Sequence, residues 1–218
     1  MTLYEWLMTD EAGSSSPPGL APYLAAMVRR LPPTRAGVVP GSTPVVAFGD
    51  PARARVATLG INPSRREFTD EQGRMLTEAH RRLATLASLG ASRLDRLDDA
   101  QVASVVAECG AYFRRQPYRR WFDPLDALIR AGTGASFYDE TACHLDLVQW
   151  ATDPVWGQMP DQRARRALIE DGCRTCAPSS PRTSGATWCC ATADRSSTRS
   201  GPPAWPIWPR LALSATAR

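Results

Sequence analysis

The sequence predicts an α/β domain: a sheet flanked by helices. Three observations carry this. Short β-branched runs occur at Val45–Phe48 and Val56–Leu59. Helix-period segments follow them, and a further strand-like run spans Cys143 to Trp150. Strand, helices, strand, helix is the rhythm of a sheet covered by helices.

The elements follow in order. Leu3 to Met8 is a short helix candidate, followed by the Ser/Pro stretch SSSPPG. LAPYLAAMVRRLPP reads as one amphipathic helix ended by Pro32 and Pro33, and PGSTP as a linker, so residues 1–43 form a helical and linker segment. The two strand candidates flank the turn Gly49-Asp50-Pro51. Thr69 or Asp70 caps a predicted helix running to about Leu89 and stopped by Gly90, with Met75, Leu76, Ala79, Leu83 and Leu86 at helical spacing and His80 within it. Asp98 or Asp99 opens another helix through Phe113, which Pro117 breaks. WFDPLDALIRAG is a helix stopped by Gly132. Phe137-Tyr138 and Cys143 to Trp150 form the next strand region, and Pro160-Asp161 opens the helix QRARRALIEDG.

Length and composition set the bounds. A chain of 218 residues at 43% hydrophobic fits one domain plus a tail. No 18-residue apolar run exists, so no membrane span is expected, and the acidic start MTLYEWLMTDEAG lacks the basic region of a secretory signal. A cytoplasmic location is the resulting expectation. The formal charge of +4 is unevenly placed. Residues 1–172 hold 20 Arg against 21 Asp and Glu, whereas residues 173–218 hold six Arg against the single Asp194. A basic nucleic-acid surface therefore does not follow from net charge.

Residues 173–218 have no Val, Phe, Tyr, Met, Glu, Gln, Asn or His and keep no helical or strand period. Cys173, Cys176, Cys189 and Cys190 match no common zinc spacing, so neither metal nor cofactor is expected. A shifted reading frame explains the composition. Cys and Trp codons begin TG, and moving the frame back one base turns each into a codon for Leu, Val or Met. Trp188, Cys189 and Cys190 then become three consecutive apolar residues, as in a buried strand. The expectation is a native domain over residues 1–172 and a non-native, largely disordered tail over 173–218.

Three stretches carry possible chemistry. In GINPS, Gly60 allows close approach or positive φ. Pro63 forces Asn62 out of the helical region, leaving its amide at a strand tip to orient a water or a base edge. Asn-Pro also makes ordinary turns. In TACHLDLVQWATDPVWG, His144, Asp146 and Val148 share one strand face; the pair suits either ligand or metal contact or a satisfied polar network. Trp150 and Trp156 suit base stacking or the core. In AYFRRQPYRRWFDP, Arg114, Arg115, Arg119 and Arg120 interleave with aromatics, as in phosphate contact plus stacking or a solvated face over packed rings. Ligands of α/β sheets sit beyond the carboxyl ends of strands, so GINPS and the segment after Gln149 are expected at one crevice.

GINPS after a strand resembles the first active-site motif of the uracil-DNA glycosylase superfamily, whose mismatch-specific branch carries Gly-Ile-Asn-Pro-Gly. Gly60, Ile61, Asn62 and Pro63 match, and Ser64 departs. NPSRREF, QPYRRWF and ACHLDLVQWATDPVW are also similar to uncharacterised bacterial relatives, over residues 40 to 172. The resemblance implies a three-layer α/β/α fold with a short, mostly parallel sheet, incomplete at the C-terminus. It implies hydrolysis of an N-glycosidic bond in DNA, with Asn62 positioning the attacking water. Gly60, Ile61 and Pro63 would border the base and Phe68 would stack on it; apart from the resemblance, we expect His144 or Asp146 to read its edge. Ser64, Arg65, Arg119 and Arg120 would contact the nucleic-acid backbone. The expected partner is DNA, met by a monomer. Nothing in residues 150–218 matches the second motif, a late loop that enters the duplex, so the resemblance also admits an inactive chain. A non-catalytic nucleic-acid or nucleotide-binding module on the same fold is the alternative.

Overall fold

The structure is a computed structural model that describes residues 22–176. The helix expected over Leu3–Met8 and almost all of the tail lie outside the described residues. The described residues all fall in the first of the chain's two units, Met1–Arg182; the second is Thr183–Arg218.

The architecture is α/β. In chain order it runs α1 (Pro22–Arg29), β1 (Val56–Gly60), α2 (Asp99–Gly110), α3 (Arg119–Thr133), β2 (Ala142–Asp146) and α4 (Gln162–Cys176), with five short 3-10 turns between them. β1 and β2 pair in parallel, Val56 opposite Ala142 through Gly60 opposite Asp146. This register puts Thr58, Gly60, His144 and Asp146 on one face, because side chains alternate along a strand.

Two apolar clusters hold this sheet. The first joins Phe48, Phe68, Tyr112, Phe113, Phe122, Ile129, Phe137 and Ala142. Phe122 and Ile129 share the buried stripe of α3, and the Phe113 and Phe137 rings stack with centroids 4.7 Å apart. Removing a ring such as Phe122 would cost about 3–5 kcal/mol. The second cluster joins Val28 of α1, Val102 and Val105 of α2, Val148, Trp150, and Leu168 of α4. α2 starts where expected: Asp98 accepts from the Gln101 amide at 2.8 Å while the Gln101 side chain accepts from the Asp98 amide, a reciprocal cap. α4 starts after Asp161, whose carboxylate accepts the Arg163 amide.

Several expectations are corrected. Residues 70–89 form no α-helix. Asp70 instead accepts the amides of Gln72 and Arg74, both at 2.9 Å, and Thr69 bridges Met75 antiparallel. The backbone closes on itself: the Gly73 amide donates to Asp70 O, the Asp70 amide donates to Arg74 O, and Gly73 takes φ of 79°, so a tight turn wins over the apolar period. His80 accordingly ends a 3-10 turn, Glu78–His80. Val45–Phe48 is extended but is not a ladder. Phe48 exchanges backbone bonds with His144, while the Val45 amide reaches Gln149. Three steps on one segment face five on the other, and this bulge interrupts the pairing. α3 runs past Gly132 and stops at Gly134, the residue with φ of 69°. α2 ends at Gly110, and Tyr112–Arg114 is a separate 3-10 turn. β2 ends at Asp146, short of Trp150, and Phe137-Tyr138 lies in a turn. α1 ends at Arg29, before the two prolines. Among the described residues no helix is long and apolar enough to cross a membrane.

Candidate functional site

The two strand ends named from sequence do converge. Beyond the strands, the Leu147 amide donates to Gly60 O at 3.2 Å and the Val148 amide to Ile61 O at 2.8 Å. The pairing thus carries the 147–152 segment up against GINPS. That segment is anchored from behind: the Trp150 indole N–H donates to Asp171 of α4 at 2.9 Å, and the Arg30 guanidinium lies over the ring. Trp150 is fully buried, so it belongs to the core and stacks on no ligand.

Asn62 sits at the junction, half-buried. Its Nδ2 donates to Pro63 O at 3.1 Å, to Trp150 O at 3.2 Å and to Thr152 Oγ1 at 3.2 Å. The amide nitrogen is therefore not free, as its place at a strand tip suggested. It staples the loop, and the carbonyl oxygen Oδ1 is left as the uncommitted end. Buried Pro63 fixes the backbone beside it, and Ile61 is 52% exposed.

Gly60 is needed for close approach, not for positive φ. A Cβ there would lie 2.4 Å from Asp146 Oδ1 and 2.8 Å from His144 Nε2. His144 Nδ1 is 2.7 Å from Thr58 Oγ1, and Nε2 is 3.4 Å from Asp146 Oδ1. Each ring nitrogen of His144 thus has a side-chain neighbour, Thr58 at Nδ1 and Asp146 at Nε2. Burial holds the Asp146 carboxyl above the usual carboxylate range, and the His144 hydrogen bond offsets part of that. Both residues are buried, 5% and 9% exposed, with polar atoms turned toward each other and the Gly60 backbone. They form the satisfied network of the two readings offered by the sequence. An edge-reading role for either is corrected accordingly: the groups are already partnered inside the protein.

Other expected site residues are redistributed. Phe68 is 1% exposed and packs in the aromatic cluster, so it offers no face for a base. It caps the 3-10 turn Arg65–Glu67 at its C-terminal end, and its ring enters the core from there. Ser64 Oγ accepts the Arg66 amide at 3.2 Å and caps the 3-10 turn Arg65–Glu67. Arg65 pairs with Asp153 at 2.9 Å, a second tie between the motif and the 147–153 segment. Arg119 and Arg120 stand at the exposed N-terminus of α3. Arg119 lies over the Tyr138 ring at 4.7 Å and reaches Asp123 at 3.5 Å.

The chain also places a residue the sequence did not single out. Glu67 is 2% exposed, and the Tyr112 hydroxyl donates to its Oε2 at 2.6 Å. Tyr112 Oη in turn accepts the Tyr118 amide at 2.8 Å, linking the motif turn to the start of α3. Burial pushes the Glu67 carboxyl up to about 7. The available signal was a carboxylate three residues after a capping serine, which ordinarily reaches back to the cap; here it reaches inward.

Comparison with protein-family models, curated proteins and solved structures finds no match. At the joined strand ends Asn62 has its amide nitrogen committed to the protein, next to the exposed Ile61, and Gly60 two positions earlier packs against the buried His144 and Asp146. An amide oxygen accepts a hydrogen bond from water or from a ligand N–H or O–H. A cavity of about 360 Å³, lined by Met27, Val46, Cys109 and Leu145 among others, opens by the opposite face of β2 and is mainly apolar. Among the described residues no three His, Cys, Asp or Glu side chains gather as a metal site.

Proposed function

We propose that the crevice is a glycosylase-like site that hydrolyses the N-glycosidic bond of uracil or a damaged base in DNA. One observation carries the reading: Asn62 is held at the joined ends of two parallel strands, with its amide nitrogen bonded inward and Oδ1 left over. Oδ1 would accept a hydrogen from the attacking water and aim its lone pair at the sugar carbon. An amide is too weak a base to generate hydroxide, so this role suits a bond already largely broken when water attacks. Support for the departing base would then dominate the rate. Arg65, Arg119 and Arg120 would meet the nucleic-acid backbone.

The test is release of uracil from a uracil-containing oligonucleotide, abolished in Asn62→Ala. A second reading, a non-catalytic nucleotide- or nucleic-acid-binding module, is favoured by the commitment of Nδ2 to the protein and by the enclosure of His144 and Asp146. Binding of the oligonucleotide without base release, unchanged in Asn62→Ala, would select it.

A further inference from the structure

The polar cluster under the motif turn has a property that the proposed hydrolysis does not use. Glu67 ends the 3-10 turn Arg65–Glu67, whose cap Ser64 directly follows Pro63, so its position and that of Asn62 are joined by a buried proline, a cap and one turn. From other elements, three charged or titratable groups act on its carboxyl. The Tyr112 hydroxyl donates to Oε2, the Arg82 guanidinium attracts it, and Asp146 on β2, itself backed by His144, repels it. On its own turn, Arg65 and Arg66 are engaged elsewhere, with Asp153 and Glu71. Arg82 donates to Arg66 O at 2.6 Å and lies over the Tyr118 ring at 5.6 Å, while its buried Nε finds no acceptor.

We propose that Glu67 is a proton-controlled positioning residue, whose gain or loss of a proton resets how the Asn62 turn docks against Tyr112 and α3. Neutral, the carboxyl sits in its buried place with the Tyr112 hydrogen bond and no charge to desolvate. Ionised, it is a buried anion repelled by the Asp146 charge, and relief comes from moving the turn toward water or toward Arg82. Because burial already brings its titration to about 7, the change falls near neutral pH. The motif geometry would therefore be pH-dependent whether or not a base is ever released.

The experiment follows the Asn62 side-chain amide by ¹H–¹⁵N NMR in the full chain from pH 5 to pH 9. The expected result is one inflection near pH 7 that is lost in Glu67→Gln. Tyr112→Phe and Arg82→Gln each remove a group that favours the anion and should move the inflection to higher pH. Asp146→Asn removes a repelling charge and should move it lower. A residue with a merely structural role would give none of these opposed shifts. No inflection in the wild-type chain, or one that survives in Glu67→Gln, overturns the proposal. Should Glu67→Gln not fold, midpoints unmoved in the other three variants overturn it equally.

Discussion

The side-chain nitrogen of Asn62 donates to the backbone carbonyl of Trp150 across 3.2 Å, joining residues 88 positions apart in sequence. This bond makes Asn62 a structural staple as well as a candidate site residue. The consequences of changing it must therefore be read on two scales.

Asn62→Ala removes donors from Pro63 O, Trp150 O and Thr152 Oγ1. A loss of about 1–3 kcal/mol is expected, because carbonyls shielded from water lose their partner. Chemical denaturation measures it. Uracil release, if present in the wild type, should fall by about 100-fold or more, the scale on which positioned proton-handling groups act. A variant as stable as the wild type would remove the staple from the account.

Gly60→Ala places a methyl 2.4 Å from Asp146 Oδ1. The carboxylate must shift and its contact with His144 must lengthen, at a cost of about 1–3 kcal/mol. The double variant Gly60→Ala/Asp146→Ala should be less destabilised than the sum of the singles, since the second change empties the space. Strict additivity in urea melts would show that Asp146 is not what Gly60 makes room for.

The Glu67 carboxyl is raised from 4.5 to about 7 by burial. A raised acid binds its proton more tightly in the folded state. Its contribution is fully present below pH 4.5 and is lost as pH climbs through 7. The predicted loss across that window is about 3–4 kcal/mol, two and a half pH units at roughly 1.4 kcal/mol each. The stability difference between wild type and Glu67→Gln, measured by denaturant titration at pH 4.5 and pH 7.5, should show it. Asp146, also raised by burial, contributes with the same sign.

Gly172 lies on α4 where a Cβ would fall 2.0 Å from Leu147 O. Gly172→Ala should therefore push α4 off the 147–152 segment and destabilise the chain by about 1–3 kcal/mol or more. With Leu168 fully buried and Asp171 bonded to Trp150, the helix fits the core down to that residue. The same position is where the frame-shift reading begins. Sequencing the gene across codon 172 checks that reading, and a related tail in frame with these cysteines would sink it. Leu59 is 64% exposed on β1; a chain restored to the other frame is expected to melt higher and bind less of a hydrophobic dye.

Much of the fold was legible because local signals agreed with it. The Asp98–Gln101 cap, the apolar stripe of α3 and the run before GINPS each specify one element from neighbours in sequence. Residues 70–89 were misread because an apolar helical period and the turn signal of Asp70 and Gly73 compete there. The chain there is irregular: it buries Leu83 and Ala84 and leaves Ala79 of the period exposed. The crevice was legible in outline, since strand ends in α/β sheets collect sites. Its inner workings were not. Phe68 and Glu67 are adjacent in SRREF, and no pattern announces that both turn inward.

The sequence by itself determined the α/β class, the placing of GINPS at a strand end and its meeting with the segment after Gln149. These rest on local periodicity and on the general geometry of parallel strands. Only the tertiary structure decided which atoms of Asn62 are committed, that His144 and Asp146 partner each other against Gly60, and that Glu67 is buried beneath the motif. Those outcomes depend on desolvation and on contacts between residues dozens of positions apart, and a carboxylate buried against a tyrosine looks the same in sequence as one in water.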